Sequence, residues 1–212
     1  MSRLPAKTRS FDAVIFDLLT AILNSWKLWN NVAGSVESGV RWRKRYLEIT
    51  YQCGTYRPYE DLIYQAAQAA GVPSEKASEL ISRWTELEPW PEVASVVGSL
   101  AKRVPVGIAT NSSNVLAEKA IAAVGIRFAA VATAETAGAY KPRPEPYLSV
   151  LQKLGVSPAR TLFVAGSAAD VPGASNVGMH VFWHNRAKLT LGAESARPRY
   201  AADTLQPLLE LV

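Results

Sequence analysis

The chain has 212 residues, and 23 lysines and arginines against 18 aspartates and glutamates give a formal net charge of +5. Hydrophobic residues make up 49% and charged residues 19%, an ordinary globular composition that excludes disorder as the main state. The single Cys53 and the two histidines, His180 and His184, exclude a disulfide framework and a zinc site built from cysteines or clustered histidines. Asp17 interrupts the first apolar run, 13–23, which argues against a signal peptide or membrane span, so we expect a cytoplasmic protein.

Short apolar runs along the chain predict the strands of a parallel sheet. The first run stops at Asp17, and the five predicted strands are 13–16, 104–109, 129–133, 161–165 and 180–183. Helical patterns separate the later runs, at 114–124, 144–154 and 170–177. This succession with short loops implies right-handed crossovers and predicts a doubly wound α/β fold. After the last strand, His184 is predicted to lie in a surface loop.

The interval between the first two strands is far too long for one crossover helix. It holds four amphipathic segments, at 26–36, 40–51, 59–70 and 74–87. We therefore predict a helical cap, residues 24–91, inserted into an α/β core formed by residues 1–23 and 92–212. The one dense basic cluster, 41–45, is interleaved with apolar residues at helical spacing, so neither nucleic acid nor a membrane is an expected partner.

The residues that could take part in a reaction lie at the predicted strand ends, because ligands of an open α/β sheet bind at the carboxyl ends of its strands. Lys141 lies in a loop after the third strand, and the chain shows no nucleophile-elbow serine and no Gly-rich phosphate loop after the first strand. These residues therefore favour a carboxylate as the nucleophile, with a lysine that orients it and compensates its negative charge. The polar residues at the strand ends are Asp17, Thr110, Asn111, Ser112, Ser167 and Asp170.

Each of these residues also has a purely structural interpretation. Asp17 and Asp170 can cap helices. Lys141 can be a solvated loop lysine, and Thr110 and Asn111 can simply form a turn.

Four segments, in this order, resemble the motifs of the haloacid dehalogenase-like hydrolases, and within them the L-2-haloacid dehalogenases. The resemblance covers nearly the whole chain, because the order, the intervals and the position of the cap all agree. It implies a Rossmann-like core. The four segments are Phe16-Asp17-Leu18-Leu19-Thr20, Ala109-Thr110-Asn111-Ser112, Tyr140-Lys141-Pro142 followed by Tyr147, and Phe163-Val164-Ala165-Gly166-Ser167-Ala168-Ala169-Asp170.

Two positions distinguish the dehalogenases from the magnesium phosphatases of this superfamily. The phosphatases have a general-acid aspartate where this chain has Leu19, and usually a magnesium-binding aspartate where it has Ser167, a poor ligand for a hard dication. Without the metal, a phosphate dianion would meet Asp17 as like charge against like charge. The resemblance thus implies a hydrolase of 2-haloacids that needs no metal and no other cofactor, since a departing halide needs no proton.

The resemblance also implies the roles of the residues around the reacting atoms. Asp17 displaces the halide and forms an ester, and Asp170 positions or activates the water that hydrolyses it. Lys141 holds both carboxylates in register. Tyr147 lies near the nucleophile, and Ser167 occupies a water-positioning place.

Further contacts with the substrate follow from the same resemblance. Arg43, in a cap segment like the arginine helix of the family, and Asn111 are on the halide side. Tyr59 matches an aromatic position of the cap. The hydroxyl of Thr110, with the backbone N–H groups of Leu18 and Leu19, holds the substrate carboxylate.

Three positions depart from the family pattern. Ala21 replaces the threonine that bonds the nucleophile, although Thr20 can substitute from one residue earlier. Ala165 and Ser167 stand where the dehalogenases usually have serine and asparagine. Two alternatives stay open: a hydrolase of another small substrate such as a phosphate ester, and a non-catalytic member that keeps the pocket. A homodimer is also left open, because the resembling enzymes are often dimers.

Overall fold

The core of the protein is a single parallel β-sheet. The computed structural model describes residues 10–193 and 195–212, so residues 1–9 of the predicted core lie outside the described residues. The sheet has the order β3-β2-β1-β4-β5-β6, and all neighbouring strands are parallel. The strands are β1 (Ala13–Phe16), β2 (Val106–Thr110), β3 (Ala130–Thr133), β4 (Thr161–Ala165), β5 (His180–His184) and β6 (Tyr200–Ala202).

The strand order confirms the predicted doubly wound α/β fold. The chain runs outward from β1 in both directions, so the order reverses beside β1, where such sheets bind their ligands. β6 is not among the predicted strands, because its three residues are too short to give a pattern. His184 ends β5 and is buried, so its predicted place in a surface loop is wrong. The added strand β6 pairs with His184 through Ala202.

The described residues contain ten α-helices. The cap segment contributes α1 (Ser25–Ala33), α2 (Val36–Cys53), α3 (Tyr59–Ala69) and α4 (Ser74–Ser82). The others are α5 (Val93–Leu100), α6 (Asn114–Val124), α7 (Ala134–Ala137), α8 (Pro144–Leu154), α9 (Asp170–Asn176) and α10 (Leu208–Leu211). Helices α5, α7 and α10 are not among the predicted ones. No helix of residues 10–193 and 195–212 has the length and apolarity needed to cross a membrane.

Close packing of α1 against α2 positions the cap over the sheet. Gly39 on α2 lies so near α1 that a Cβ there would be 2.4 Å from the Cα of Asn30, so a larger residue would push the helices apart. Trp29 and Trp42 pack edge to face with ring centroids 4.7 Å apart, and both are fully buried. Arg43, the next residue on α2, is buried beside Asp17 and Lys141 of the core.

Two isolated antiparallel β-bridges join the cap segment to the core, and one of them pairs Thr55 with Ala139. Leu23 forms a β-bridge with Pro89, and the amide of Trp90 donates to the carbonyl of Ile22 over 2.9 Å. The indole Nε1 of Trp90 donates to the carbonyl of Thr20 over 3.1 Å. The boundaries 23/24 and 91/92 stay predictions, and the paired connections lie beside both of them.

Candidate active site

The predicted nucleophile lies at the centre of the sheet edge. Asp17 follows β1 directly and caps a π-helical turn, Leu18–Ile22. Its Oδ2 accepts hydrogen bonds from the amide of Thr20 (2.8 Å), the hydroxyl of Thr20 (2.6 Å) and the amide of Ala21 (3.3 Å). Asp17 is therefore a cap residue and a site residue at once, and Thr20 supplies the hydroxyl that the departure at Ala21 removes.

A buried lysine connects two carboxylates. Lys141 Nζ lies 2.8 Å from Asp17 Oδ1 and 3.0 Å from Asp170 Oδ2. Tyr147 donates its hydroxyl to Asp170 Oδ1 over 2.7 Å. All four side chains are buried, so neither carboxylate depends on water for its hydrogen bonds. The predicted set of Asp17, Lys141 and Asp170 is thus brought together, and Tyr147 is directed at Asp170.

Asn111 fixes the loop that carries this lysine. Its Oδ1 accepts from the amide of Lys141 over 2.7 Å, and its Nδ2 donates to the carbonyl of Lys141 over 3.0 Å. A side-chain amide has two N–H bonds, so one remains for a ligand. Asn111 lies in the loop after β2, and this pair of bonds joins that loop to the lysine loop.

The charge network separates the acidities of the two carboxylates. Burial alone would raise the pKa of Asp17, but the Lys141 ammonium and the hydrogen bonds from Lys141 and Thr20 outweigh burial and hold that pKa below its ordinary value. Burial raises the pKa of Asp170, and the nearby Asp17 carboxylate raises it further, against the opposing effects of Lys141 and Tyr147. Asp17 is therefore favoured as an anion, whereas Asp170 is the more basic carboxylate of the two.

The cap contributes a buried cation to the same site. Arg43 is 1% exposed, and its Nε and Nη1 have no hydrogen-bond partner among the described residues. Its guanidinium carbon lies 4.9 Å from the ring centroid of Trp26 and 5.2 Å from that of Trp29, so indole faces cover it. Burial lowers the pKa of Arg43, and the nearby tyrosines and Asp17 oppose that effect. The Nε and Nη1 donors of Arg43 are therefore shielded from water and have no acceptor among the described residues.

The cap and the sheet edge enclose a cavity of about 30 Å³, which has room for about two water molecules. The predicted residues Leu18, Tyr59, Thr110 and Tyr147 are buried but do not line the cavity. The hydroxyl of Thr110 has no hydrogen-bond partner within the described part of the chain. The residues that line the cavity are Asp17, Leu19, Thr20, Arg43, Tyr46, Leu47, Tyr51, Asn111, Lys141, Ser167 and Asp170.

Sequence reasoning missed three cavity residues on α2. Tyr46, Leu47 and Tyr51 follow Arg43 by three, four and eight positions, so they share its face of the helix. Tyr46 also donates to the carbonyl of Asn111 over 3.3 Å, which joins the cap to the loop after β2. The helical spacing from Arg43 is the signal that would have found them.

The residues of this site do not fit a divalent cation. The ammonium of Lys141 lies between the two carboxylates, where a metal ion would need their oxygens. Leu19 and Ser167 supply no third carboxylate. Within residues 10–193 and 195–212, no group of three or more His, Cys, Asp or Glu side chains is arranged to hold a metal.

A family model for haloacid dehalogenase-like hydrolases matches residues 11–178. The chain belongs to this family. An (S)-2-haloacid dehalogenase of Xanthobacter autotrophicus is 28% identical over 178 residues, which cover 79% of this chain and 68% of that protein. The solved structure of L-2-haloacid dehalogenase from Xanthobacter autotrophicus, with chloropropionic acid covalently bound, superposes with a TM-score of 0.84 at 21% identity, covering 95% of this chain and 98% of that one.

A phosphoglycolate phosphatase of Escherichia coli K12 is 33% identical over a shorter stretch of 92 residues, which covers 42% of this chain and 36% of that protein. The haloacid dehalogenases match over far more of the chain. The resemblance that the four motifs predicted, to the haloacid dehalogenase-like hydrolases and their L-2-haloacid dehalogenase branch, is confirmed. The protein is a hydrolase.

Proposed function

We propose that this protein hydrolyses small 2-haloalkanoic acids to 2-hydroxy acids through an aspartyl ester, without a metal ion. The proposal rests on the Arg43 guanidinium, whose unpartnered N–H groups line the same buried cavity as the carboxylate of Asp17. A nucleophile and an anion receptor that face one cavity suit a displacement in which the leaving group departs as an anion.

The first step is the displacement of the halide. Asp17 Oδ1 attacks C2 of the substrate from the side opposite the halogen, because Oδ2 accepts three hydrogen bonds from Thr20 and Ala21 whereas Oδ1 accepts one, from Lys141. A carbon–oxygen bond forms, and the carbon–halogen bond breaks with its electron pair leaving on the halide. Arg43 and the remaining N–H of Asn111 receive that anion. The configuration at C2 inverts.

The second step is the hydrolysis of the ester. Water attacks the ester carbonyl of Asp17, and Asp170 accepts the proton of that water. The bond between the acyl carbon of Asp17 and the substrate oxygen breaks, and the departing alkoxide takes back the proton from Asp170, which releases the 2-hydroxy acid. The remaining proton of the attacking water is lost to solvent, which restores the Asp17 carboxylate. Lys141 compensates the negative charge in both steps, and the hydroxyl of Ser167, which lines the cavity, helps to place the water.

The substrate carboxylate needs a receptor apart from Arg43. We assign it to the backbone N–H groups of Leu18 and Leu19, of which Leu19 lines the cavity, together with the hydroxyl of Thr110. This hydroxyl is buried outside the cavity lining and has no protein partner among the described residues. The aromatic ring of Tyr59 packs on Tyr46, with centroids 5.4 Å apart, and so supports the cavity wall from behind. Tyr147 acts through its hydrogen bond to Asp170.

Phosphate-ester hydrolysis, the alternative, has less support in the site. Its general-acid position holds Leu19, which cannot transfer a proton, and Lys141 occupies the space between the carboxylates. A non-catalytic role has less support as well, because Asp17 and Asp170 share Lys141 while their pKa values are shifted in opposite directions.

Halide release from 2-chloropropionate in the presence of a chelator tests the proposal. We expect turnover that survives the chelator and falls at least about 10⁴-fold in Asp17→Asn, since that variant lacks the nucleophile. Asp12→Asn is the matched control, because Asp12 lies close in sequence but is exposed and paired with Arg160. Magnesium-dependent phosphate release without halide release would overturn the proposal.

Isotope labelling tests the ester directly. A single turnover in heavy-oxygen water is expected to place the label in the peptide that contains Asp17, because the water attacks the carboxyl carbon of the enzyme. Product formation with label only in the 2-hydroxy acid would show direct attack by water and would contradict the ester mechanism.

A further inference from the structure

A second and much larger cleft lies beside the catalytic cavity. Its volume is about 580 Å³, which is within the range of small-molecule sites, whereas the catalytic cavity has about 30 Å³. One side is formed by α1 and α2 of the cap, and the other by the loops that follow β4 and β5. Its apolar lining includes Trp26, Val40, Leu47, Tyr51, Ala168 and Leu189.

Two side chains belong to both spaces. Leu47 and Tyr51 line the catalytic cavity and also line the large cleft, so they form the wall between them. Both are only partly buried, in contrast to Tyr46, which directly precedes Leu47 and is 2% exposed. Trp26 lines the cleft as well, and its ring lies 4.9 Å from the Arg43 guanidinium carbon. The cleft therefore adjoins the catalytic cavity at an apolar point.

A 2-haloacid carries an alkyl group that needs a space of its own in the site. C2 carries a carboxylate, a halogen, a hydrogen and an alkyl group, and the nucleophile approaches opposite the halogen. Lys141, Asp170 and Ser167 make one part of the cavity polar, and an alkyl group there would lie against charged groups. Leu47 and Tyr51 form an apolar part of the lining, and they are the residues that the cavity shares with the large cleft.

We infer that the large cleft binds the apolar tail of the substrate, so that the preferred substrates are 2-haloalkanoates with long alkyl chains. The inference rests on the proposed function and specifies its substrate class. Each methylene that enters the cleft leaves water, which corresponds to a gain in kcat/KM of about fourfold per group. Because this binding is equal in the ground state and the transition state, it lowers KM and leaves kcat nearly unchanged.

A chain-length series tests the inference, with 2-chloropropionate, 2-chlorohexanoate and 2-chlorooctanoate as substrates for halide release. We expect kcat/KM to rise along the series through KM. Val40→Trp places an indole in the cleft, so the rise disappears while turnover of 2-chloropropionate continues. Val36→Trp is the matched control, because Val36 lies one turn earlier on α2, is 67% exposed and does not line the cleft. Leu189→Trp fills the cleft from the core side and replaces Val40→Trp if that variant does not fold.

Three results would overturn the inference. They are a flat or falling series in the wild-type protein, a rise that survives both tryptophan plugs, and a loss of 2-chloropropionate turnover equal to the loss for the long chains. A change of oligomeric state in Val40→Trp, seen by light scattering with an unaltered series, would assign the cleft to a second copy of the chain. Failure of the wild-type protein to release halide even from 2-chloropropionate would overturn the proposed function as well, which separates the two failures.

Discussion

The core side and the cap side of the site hold their charges in different ways. On the core side, Asp17, Lys141 and Asp170 are joined by hydrogen bonds no longer than 3.0 Å. On the cap side, Arg43 is equally buried, yet its Nε and Nη1 have no partner among the described residues and indole rings cover it. A buried charge without a partner costs free energy, which a bound anion can return. On the proposed function, this difference assigns the chemical step to the core side and the binding of an anion to the cap side.

The largest effect is expected from breaking the core network at its centre. Lys141→Met leaves two buried carboxylates facing each other without a cation, so the free energy of unfolding should fall by about 3–5 kcal/mol and turnover should be lost. Chemical denaturation measures the stability, with Lys27→Met as control because its ion pair to Glu88 is exposed and should contribute less than about 1 kcal/mol. Equal stability losses in both variants would contradict the importance of the buried network.

The same substitution on the cap side should have the opposite effect on stability. Arg43→Met removes a buried charge that lacks partners, so the free energy of unfolding should rise by about 1 kcal/mol while kcat falls about 10²–10³-fold. Arg45→Met is the matched control, since Arg45 lies two residues further on α2 and forms an exposed pair with Glu48. A destabilised Arg43→Met protein would show that the guanidinium has a structural partner in solution and would remove the difference between the two sides.

The pH dependence of turnover should identify the proton acceptor. Asp170 must be ionised to accept a proton, and its pKa is raised by burial and by Asp17, so it sets the acid limb of kcat above that of Asp17. Tyr147→Phe removes a hydrogen bond that favours the ionised form, so the pKa of Asp170 rises, the limb moves to higher pH, and kcat falls about tenfold. Tyr64→Phe, at an exposed hydroxyl bonded to Ser78, should change neither. An unmoved limb would exclude Asp170 as the titrating group.

The smallest effect is expected at the cap of the nucleophile. Thr20→Val removes the hydroxyl that donates to Asp17 Oδ2 but keeps the backbone bonds, so stability should fall by about 1 kcal/mol. The pKa of Asp17 should rise as well, because that hydrogen bond favours the carboxylate. Thr20→Ser should restore both values in thermal unfolding and in the pH profile. A Thr20→Ser protein that behaves like Thr20→Val would point to packing rather than to the hydroxyl.

The core side could be predicted from the sequence to a large extent. Asp17, Asn111 and Asp170 each follow a strand, or nearly so, and parallel strands deliver their carboxyl ends to one edge. Lys141 needed the family resemblance as well, because a loop lysine before a proline has no periodicity that marks it. The hydroxyl of Thr20 could be anticipated from its position next to Ala21, and its bond to Asp17 agrees with that expectation.

The cap side could be predicted only in part. The local match indicated Arg43, but its burial between the indole rings of Trp26 and Trp29 depends on the packing of α1 against α2, which no single helix pattern contains. Tyr51 shares the face of Arg43, yet the large cleft beside it arises between α2 and loops more than 100 residues later in the chain. His184 was placed on the surface because β6, which pairs beside it, is too short to be read from sequence.

The hydrogen bond from the indole of Trp90 to the carbonyl of Thr20 also bears on how the cap segment can move. His184 Nδ1, from β5, lies 2.9 Å from the carbonyl of Ala21, so the attacking turn is anchored from two directions. The other attachments of the cap segment to the core include the isolated bridges Leu23–Pro89 and Thr55–Ala139, so a movement of the cap would strain these bridges before it disturbed the turn of Asp17. A substrate can then enter by displacing the cap segment, while the turn that carries the carboxylate of Asp17 stays in place.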